Sequence, residues 1–371
     1  MSAAGISKST FLAILSQQKK LETLTPAQQD ALLRVAISAH MHGVLAGIAN
    51  KQSPLLLPRP LTRHFSSVNT FSFAQKTQVI ASVTLLSEQL LSANVPVLLL
   101  KGAAYILGNK HNAHGRLISD IDILVQQDAL KVVESVLHQH GWRAKQLNDY
   151  DEKYYREWSH ELPPYVHNQT GVTLDIHHNL IPSSSGKTVN ISELHASKVE
   201  VGNNVYIPSD GYLILHSAIH LLLNDDTEKG LRDCFDLHSL IQNYLLSKPI
   251  ESLRSIFIDA NCDAEFSVLI HLLNRVFADQ YHTILLASEN LTPLSWHEKM
   301  LVSSLYKTVF PQTQHLLDNA SLLARQHVYV HGHLSKMPMR LFIKHISYKS
   351  YRSMVKRLLG ETFFQPSTPK K

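Results

Sequence analysis

Residues 95–125 read VPVLLLKGAAYILGNKHNAHGRLISDIDILV, and their pattern decides how the rest of the chain is placed. Val97, Leu98, Leu99 and Leu100 form a short apolar run between Pro96 and Lys101-Gly102. A run so short and so punctuated predicts a buried strand rather than a helix. Residues 103–107 then start a helix directly after Gly102, and a strand–glycine turn–helix N-terminus presents free backbone N–H groups to an anion. A loop rich in Gly, Asn and His leads to Arg116 and to a second strand, Ser119-Asp120-Ile121-Asp122-Ile123-Leu124-Val125. Successive side chains on a strand alternate faces, so Asp120 and Asp122 share one face while Ile121, Ile123 and Val125 share the other. Adjacent carboxylates repel. A divalent cation held by oxygen ligands compensates them, magnesium above all; a solvated edge strand with two surface aspartates is the alternative. If repulsion dominates, Asp122→Asn leaves the fold intact or relieves it.

Downstream, residues 128–140 predict a helix with Ala129, Val132, Val133, Val136 and Leu137 inward, ended by Gly141. Residues 148–161 form a polar connector carrying Tyr150, Tyr154, Tyr155 and Trp158, suited either to stacking on a substrate or to packing on the sheet. Residues 164–177 predict a β-hairpin, with Asn168-Gln169-Thr170-Gly171 as its turn. In its second strand Thr173, Asp175 and His177 share a face opposite Val172, Leu174 and Ile176. His177 either orients a substrate group or ends the sheet.

The flanking regions read as helical. Thr25-Pro26-Ala27-Gln28 is a helix start, with Thr as N-cap, Pro in the first turn and Gln completing a capping box; the helix is expected to reach about Ala49. Pro54, Pro58 and Pro60 then break the chain, and residues 72–92 carry Val79, Ile80, Val83, Leu86 and Leu90 at helical spacing. Residues 182–208 are rich in Ser, Gly and Asn, with short β-like pieces such as 204–207. From Ser209 the chain is helical again, with His216 and His220 on one face. That spacing suits zinc, but the remaining ligands of a zinc protease are missing, so a packed histidine pair is preferred. Beyond Met337, Arg340, Lys344, Lys349, Arg352, Lys356, Arg357, Lys370 and Lys371 face a single acid, Glu361. Such a basic amphipathic tail contacts a membrane surface or nucleic acid, or presents a solvated face. The expected divisions are 1–94 (helical), 95–181 (catalytic core), 182–208 (linker), 209–336 (helical) and 337–371 (basic tail).

Composition narrows the class. The chain has 371 residues, 44% hydrophobic and 18% charged, ordinary for a globular protein with a sizeable core. No apolar run reaches a membrane span, and no secretory signal is recognised. Cys234 and Cys262 form neither a disulfide framework nor a metal motif, so a reducing cytoplasm is the expected location.

LLLKGAAY followed by RLISDIDILV resembles the uncharacterised nucleotidyltransferase family of the DNA polymerase beta-like superfamily. The Lys101-Gly102-Ala103 turn and an Arg four residues before the first Asp carry the resemblance, which runs over about residues 32–241. It implies an α+β fold: a small mixed sheet with helices as nucleotidyltransferase core, flanked by N- and C-terminal helical regions. It also implies transfer of a nucleoside monophosphate from an NTP, ATP included, to an acceptor hydroxyl with release of pyrophosphate. Asp120, Asp122 and Asp175 would be the catalytic metal ligands, with Asp149 and Asp151 as competitors for the third place. Two Mg2+ ions are implied, with Mn2+ as substitute. Gly102 and Ala103 would offer N–H groups to the triphosphate, and Lys101 or Arg116 would neutralise it. His220, Arg232 and Asp236 match recurrent family positions, Arg232 reaching a phosphate or pairing with Asp233 or Asp236. The acceptor stays open between small molecule, protein and RNA. Two rival readings are an Asp-x-Asp glycosyltransferase using a nucleotide-sugar and a non-catalytic nucleotide-binding protein.

Overall fold

Strand β1 (Val97–Leu100) is buried at every position, as its unbroken apolar sequence requires. A computed structural model describes residues 5–51, 57–224, 226–277, 280–287, 291–317 and 320–359. In it β1 lies inside a seven-stranded sheet completed by β2 (Asp120–Leu124), β3 (Trp142–Ala144), β4 (Tyr165–His167), β5 (Thr173–His177), β6 (Val199–Gly202) and β7 (Val205–Ile207), in the order β3-β4-β5-β2-β1-β7-β6. β2 runs antiparallel to β1 and parallel to β5, while β7 runs parallel to β1. The sheet is therefore mixed, and with helices before, within and after it the fold is the expected α+β one. Residues 182–208, expected as a linker, supply β6, β7 and helix Ile191–Ala196, so they belong to the sheet and its cover. The hairpin forms as read: β4 pairs antiparallel with β5 and Gly171 turns at φ +68°.

The N-terminal helices differ in extent from the sequence reading. Thr25 and Gln28 form the capping box, but that helix spans Pro26–Ser38 and a new one begins at His42–Lys51. His40, at φ +55°, and a Met41 N–H to Ala36 carbonyl bond of 2.7 Å turn the chain between them. The long helix is Arg59–Leu91, starting well before residue 72. Pro58 and Pro60 initiate it rather than break it, because proline in the first turn costs no helical hydrogen bond. Gln75 on this helix accepts from the Ile118 N–H at 3.0 Å and donates to the Ile118 carbonyl, fixing the chain just before β2. Helix Leu130–Gln139 buries Val133 and Leu137, but Val132 is 45% exposed, outside the inward face expected for it.

The C-terminal helices close over the sheet. Helices Asp210–Leu222 and Gly230–Leu245 pack on one another, and the first is buried nearly throughout. The connector aromatics have a packing role. Tyr150, on helix Asp149–Glu157, stacks on Tyr348 at 4.1 Å, Asp151 pairs with Lys349 at 2.9 Å, and Lys344 lies over the Trp158 ring. The basic helix Met339–Leu359 thus docks against helix Asp149–Glu157 and Trp158, leaving Met339, Ile343, Tyr351, Met354 and Leu358 exposed. Residues 360–371, with Lys370 and Lys371, lie outside the described residues. Among the described residues no helix is long and apolar enough to cross a membrane.

Candidate active site

Strands β2 and β5 carry the carboxylates, with β1 alongside β2. Asp122 on β2 is opposite Leu100, the last residue of β1, and opposite Asp175 on β5. Paired residues on neighbouring strands lie about 4.8 Å apart in backbone, so Asp122 and Asp175 stand side by side on one face, with Asp120 one step along. Asp151 is elsewhere, tied to Lys349, and the side chain of Asp149 lies outside those described.

The electrostatics divide the carboxylates sharply. Asp122 is 2% exposed, and its Oδ1 accepts from Lys101 Nζ at 2.7 Å and from His177 Nε2 at 3.0 Å. Burial opposes its charge, but Lys101 and His177 outweigh burial and hold the carboxyl well below the usual range. Lys101 answers in kind: burial opposes its charge too, and Asp122 more than restores it. Asp175 is the opposite case. Burial, with Asp122 and Asp120 close by, pushes its carboxyl up to about 7, and its Oδ1 is buried without a hydrogen-bond partner. Asp120 is partly exposed and accepts from Ser119 Oγ at 3.0 Å. A pair of ordinary carboxylates would not leave a buried oxygen orphaned; an all-oxygen donor set is the kind a hard divalent cation takes, although the three aspartates are not among the groups of described residues whose donor atoms all lie within 4.8 Å of one another.

The turn after β1 is strained where the sequence reading placed the phosphate loop. Lys101 has φ +45°, in the left-handed region a side chain rarely adopts, and it opens helix Lys101–Leu107. That backbone directs its ammonium onto Asp122. Gly102 and Ala103 follow in the first helical turn, both buried, and a Cβ on Gly102 would press on the Ile118 side chain at 3.1 Å.

The two arginines pair with carboxylates outside this face, although Arg232 is near enough to Asp120 to feel its charge. Arg116 pairs with Asp236 at 2.5 Å, both side chains 8% exposed, and Asn112 donates to the same carboxylate. Arg232 pairs with Asp233 at 2.8 Å, with His220 at 3.6 Å from that carboxylate. Arg232 and His220 hold Asp233 below the usual range against burial, whereas for Asp236 burial wins over Arg116 and Arg232 and its carboxyl rises to about 6. In this structure both guanidiniums bind helix Gly230–Leu245 rather than the Asp120–Asp175 face.

The sequence reading passed over His160 and Glu161 and left His177 open. One donor atom from each of these three lies within 4.8 Å of the others. Burial, with His177 and Lys101 close by, holds the His160 imidazole well below its ordinary pKa. The sequence signal was the His-Glu pair before Pro163-Pro164, which lacks any spacing motif linking it to residue 177.

A mixed sheet with adjacent carboxylates on its central strands, a strained turn leading from strand to helix, and helical layers around it define an α+β protein of nucleotidyltransferase fold. The profile of the family described as "Uncharacterised nucleotidyltransferase" matches residues 25–278, and the chain belongs to that family. No curated protein and no solved structure shows significant similarity to the chain.

Proposed function

We propose that this chain transfers a nucleoside monophosphate from an NTP, ATP among the candidates, to an acceptor hydroxyl. The observation that carries the reading is the β2–β5 register, which sets Asp122 directly beside Asp175 with Asp120 on the same face. These three would hold two Mg2+ ions, or Mn2+ in their place. Such ions, when bound, neutralise phosphate charge and polarise the attacking and leaving oxygens.

The chain's own groups supply the rest. The acceptor oxygen attacks the α-phosphorus, the bond to pyrophosphate breaks, and the hydroxyl proton passes to a carboxylate. Asp175 is the carboxylate placed to receive that proton, and bound ions would lower its carboxyl from the raised value it has without them. Lys101, the cation already on Asp122, would balance triphosphate charge. Gly102 and Ala103 would offer first-turn N–H groups, which have no partner within a helix. Arg116 and Arg232 would act on the nucleotide only after leaving Asp236 and Asp233. The acceptor class, whether small molecule, protein or RNA, follows from the product.

The test uses the full chain with α-labelled and γ-labelled NTPs and a cell extract as acceptor pool. Label from the α position should appear in an acceptor, pyrophosphate should be released, and chelation should stop both. Asp120→Asn, at a partly exposed position, should fold normally and lose about a hundredfold or more in rate. Absence of α-label transfer by folded protein with every NTP would overturn the reading.

A further inference from the structure

The imidazole of His177 joins two carboxylates that it cannot satisfy alone. Its Nε2 is 3.0 Å from Asp122 Oδ1, and because a carboxylate only accepts, Nε2 carries the donated proton. The other ring nitrogen, Nδ1, is buried with no hydrogen-bond partner and faces Glu161 Oε2 at 3.6 Å. A hydrogen bond between them would need an approach of about 3 Å. His160 lies against the same edge, its ring 5.5 Å from that of His177 and its own Nδ1 buried without a partner. The two imidazoles, each carrying an orphaned nitrogen, and the carboxylate therefore converge, one donor atom from each residue lying within 4.8 Å of the others.

Backbone bonds fix this convergence. His178 N–H donates to the His160 carbonyl at 2.9 Å, Leu162 N–H donates to the Ile176 carbonyl at 2.9 Å, and Glu161 bridges to His177. The segment carrying His160 and Glu161 is thereby laid antiparallel along the end of β5.

From these contacts we infer that His160, Glu161 and His177 form a site for a divalent transition-metal ion of the zinc class, bordering the Asp120–Asp122–Asp175 face but using none of those carboxylates as a ligand. Two imidazoles and one carboxylate select such an ion over magnesium. Ligands about 2.0–2.1 Å from a tetrahedral ion stand about 3.4 Å from each other, close to the 3.6 Å between His177 and Glu161. Three protein ligands leave a fourth position open to water. Asp122 completes the arrangement from outside: a carboxylate on the far nitrogen of a ligating histidine fixes its tautomer and ring orientation. The charge of Lys101, close to His160, is offset by Asp122 and Glu161. The ion would anchor the 159–162 segment to β5 and hold His177 against Asp122, acting on the carboxylate face through position alone. It does not depend on nucleotidyl transfer being the activity.

The experiment strips the full-length protein of metal with a chelator, then titrates Co2+ and Zn2+ with calorimetry and visible absorption. With excess Mg2+ present to occupy the aspartate face, one Co2+ per chain with tetrahedral-strength d–d bands, displaced by Zn2+, is expected, together with a higher melting temperature. His160→Asn and Glu161→Gln, both at partly exposed positions, should each weaken binding tenfold or more while circular dichroism stays unchanged. Asp120→Asn should retain it. Failure to bind one equivalent, or binding lost in Asp120→Asn and kept in both other variants, would overturn the site. Loss of transfer activity with Co2+ binding intact would instead refute only the nucleotidyl-transfer reading.

Discussion

Asp122 carries more of the structure than a surface metal ligand would. Its sequence neighbour Asp120 suggested that Asn at position 122 would relieve repulsion, but Lys101 and His177 both contact its Oδ1, so attraction dominates in the folded protein. Removing one partner of a buried ion pair costs about 3–5 kcal/mol. Asp122→Asn should therefore lower stability toward that range at pH 7, read by urea unfolding. The sign follows from a depressed carboxyl: its stabilisation is present above the unfolded value near 3.9 and is lost as pH falls toward the folded one. The variant and the parent should converge in strong acid; a variant as stable as the parent at pH 7 would show that the Lys101–Asp122 contact contributes nothing.

Asp175 has the opposite sign. With its carboxyl raised to about 7, the folded protein favours the protonated form, so its contribution to stability declines as pH climbs from about 4 through 7. A cation bound by Asp175 would have to displace that proton. Affinity for Mg2+ should accordingly rise about tenfold per pH unit below 7 and level off above it. Isothermal titration between pH 5.5 and 8.5 reads this directly, and a flat profile would remove Asp175 from the ligand set.

At the scale of elements, the approach to β2 depends on two glycines meeting backbone to backbone. A Cβ on Gly43, in helix His42–Lys51, would stand 2.0 Å from the Gly115 carbonyl oxygen, and Gly115 itself turns at φ +73°. Neither atom is a flexible side-chain tip that can move aside. Gly43→Ala should lower stability by about 2 kcal/mol or more, and because Arg116 follows Gly115, it should also loosen the Arg116–Asp236 pair. Thermal melting measures the first effect, and hydrogen exchange across 111–118 the second. A melting curve unchanged from the parent would show that the helix can shift without cost.

Across the whole molecule, that same pair joins the loop leading into β2 to helix Gly230–Leu245, and its two halves are not equivalent. Arginine stays protonated when its partner is removed, whereas Asp236, already raised to about 6, can take up a proton. Asp236→Asn should therefore cost about 3–5 kcal/mol with little pH dependence around neutrality. Arg116→Met should cost less, and its deficit should shrink as pH falls toward about 6 and level off below it, because without Arg116 the Asp236 carboxyl takes up its proton at higher pH than in the parent, and below about 6 both proteins carry it. Denaturant unfolding at pH 5 and pH 8 separates the two variants. Equal deficits at both pH values would assign the cost of Arg116→Met to lost packing alone.

Local chemistry determined much of this protein before any fold was known. The strand–turn–helix at 97–107, the shared face of Asp120 and Asp122, the hairpin that carries Asp175 and the Thr25 capping box all follow from side-chain alternation, turn residues and capping, which act within a few positions. What lies opposite a strand does not follow from its own residues. The parallel pairing of β2 with β5 across fifty residues, the addition of β7 beside β1, and the docking of Tyr348 on Tyr150 were decided by long-range packing. So were the side-chain partners: Lys101 lies on Asp122 and Arg116 on Asp236 because tertiary structure sets which buried charge each cation can reach. The convergence of His160, Glu161 and His177 belongs to the same class, since the contact between neighbouring chain segments that creates it leaves no spacing in the sequence.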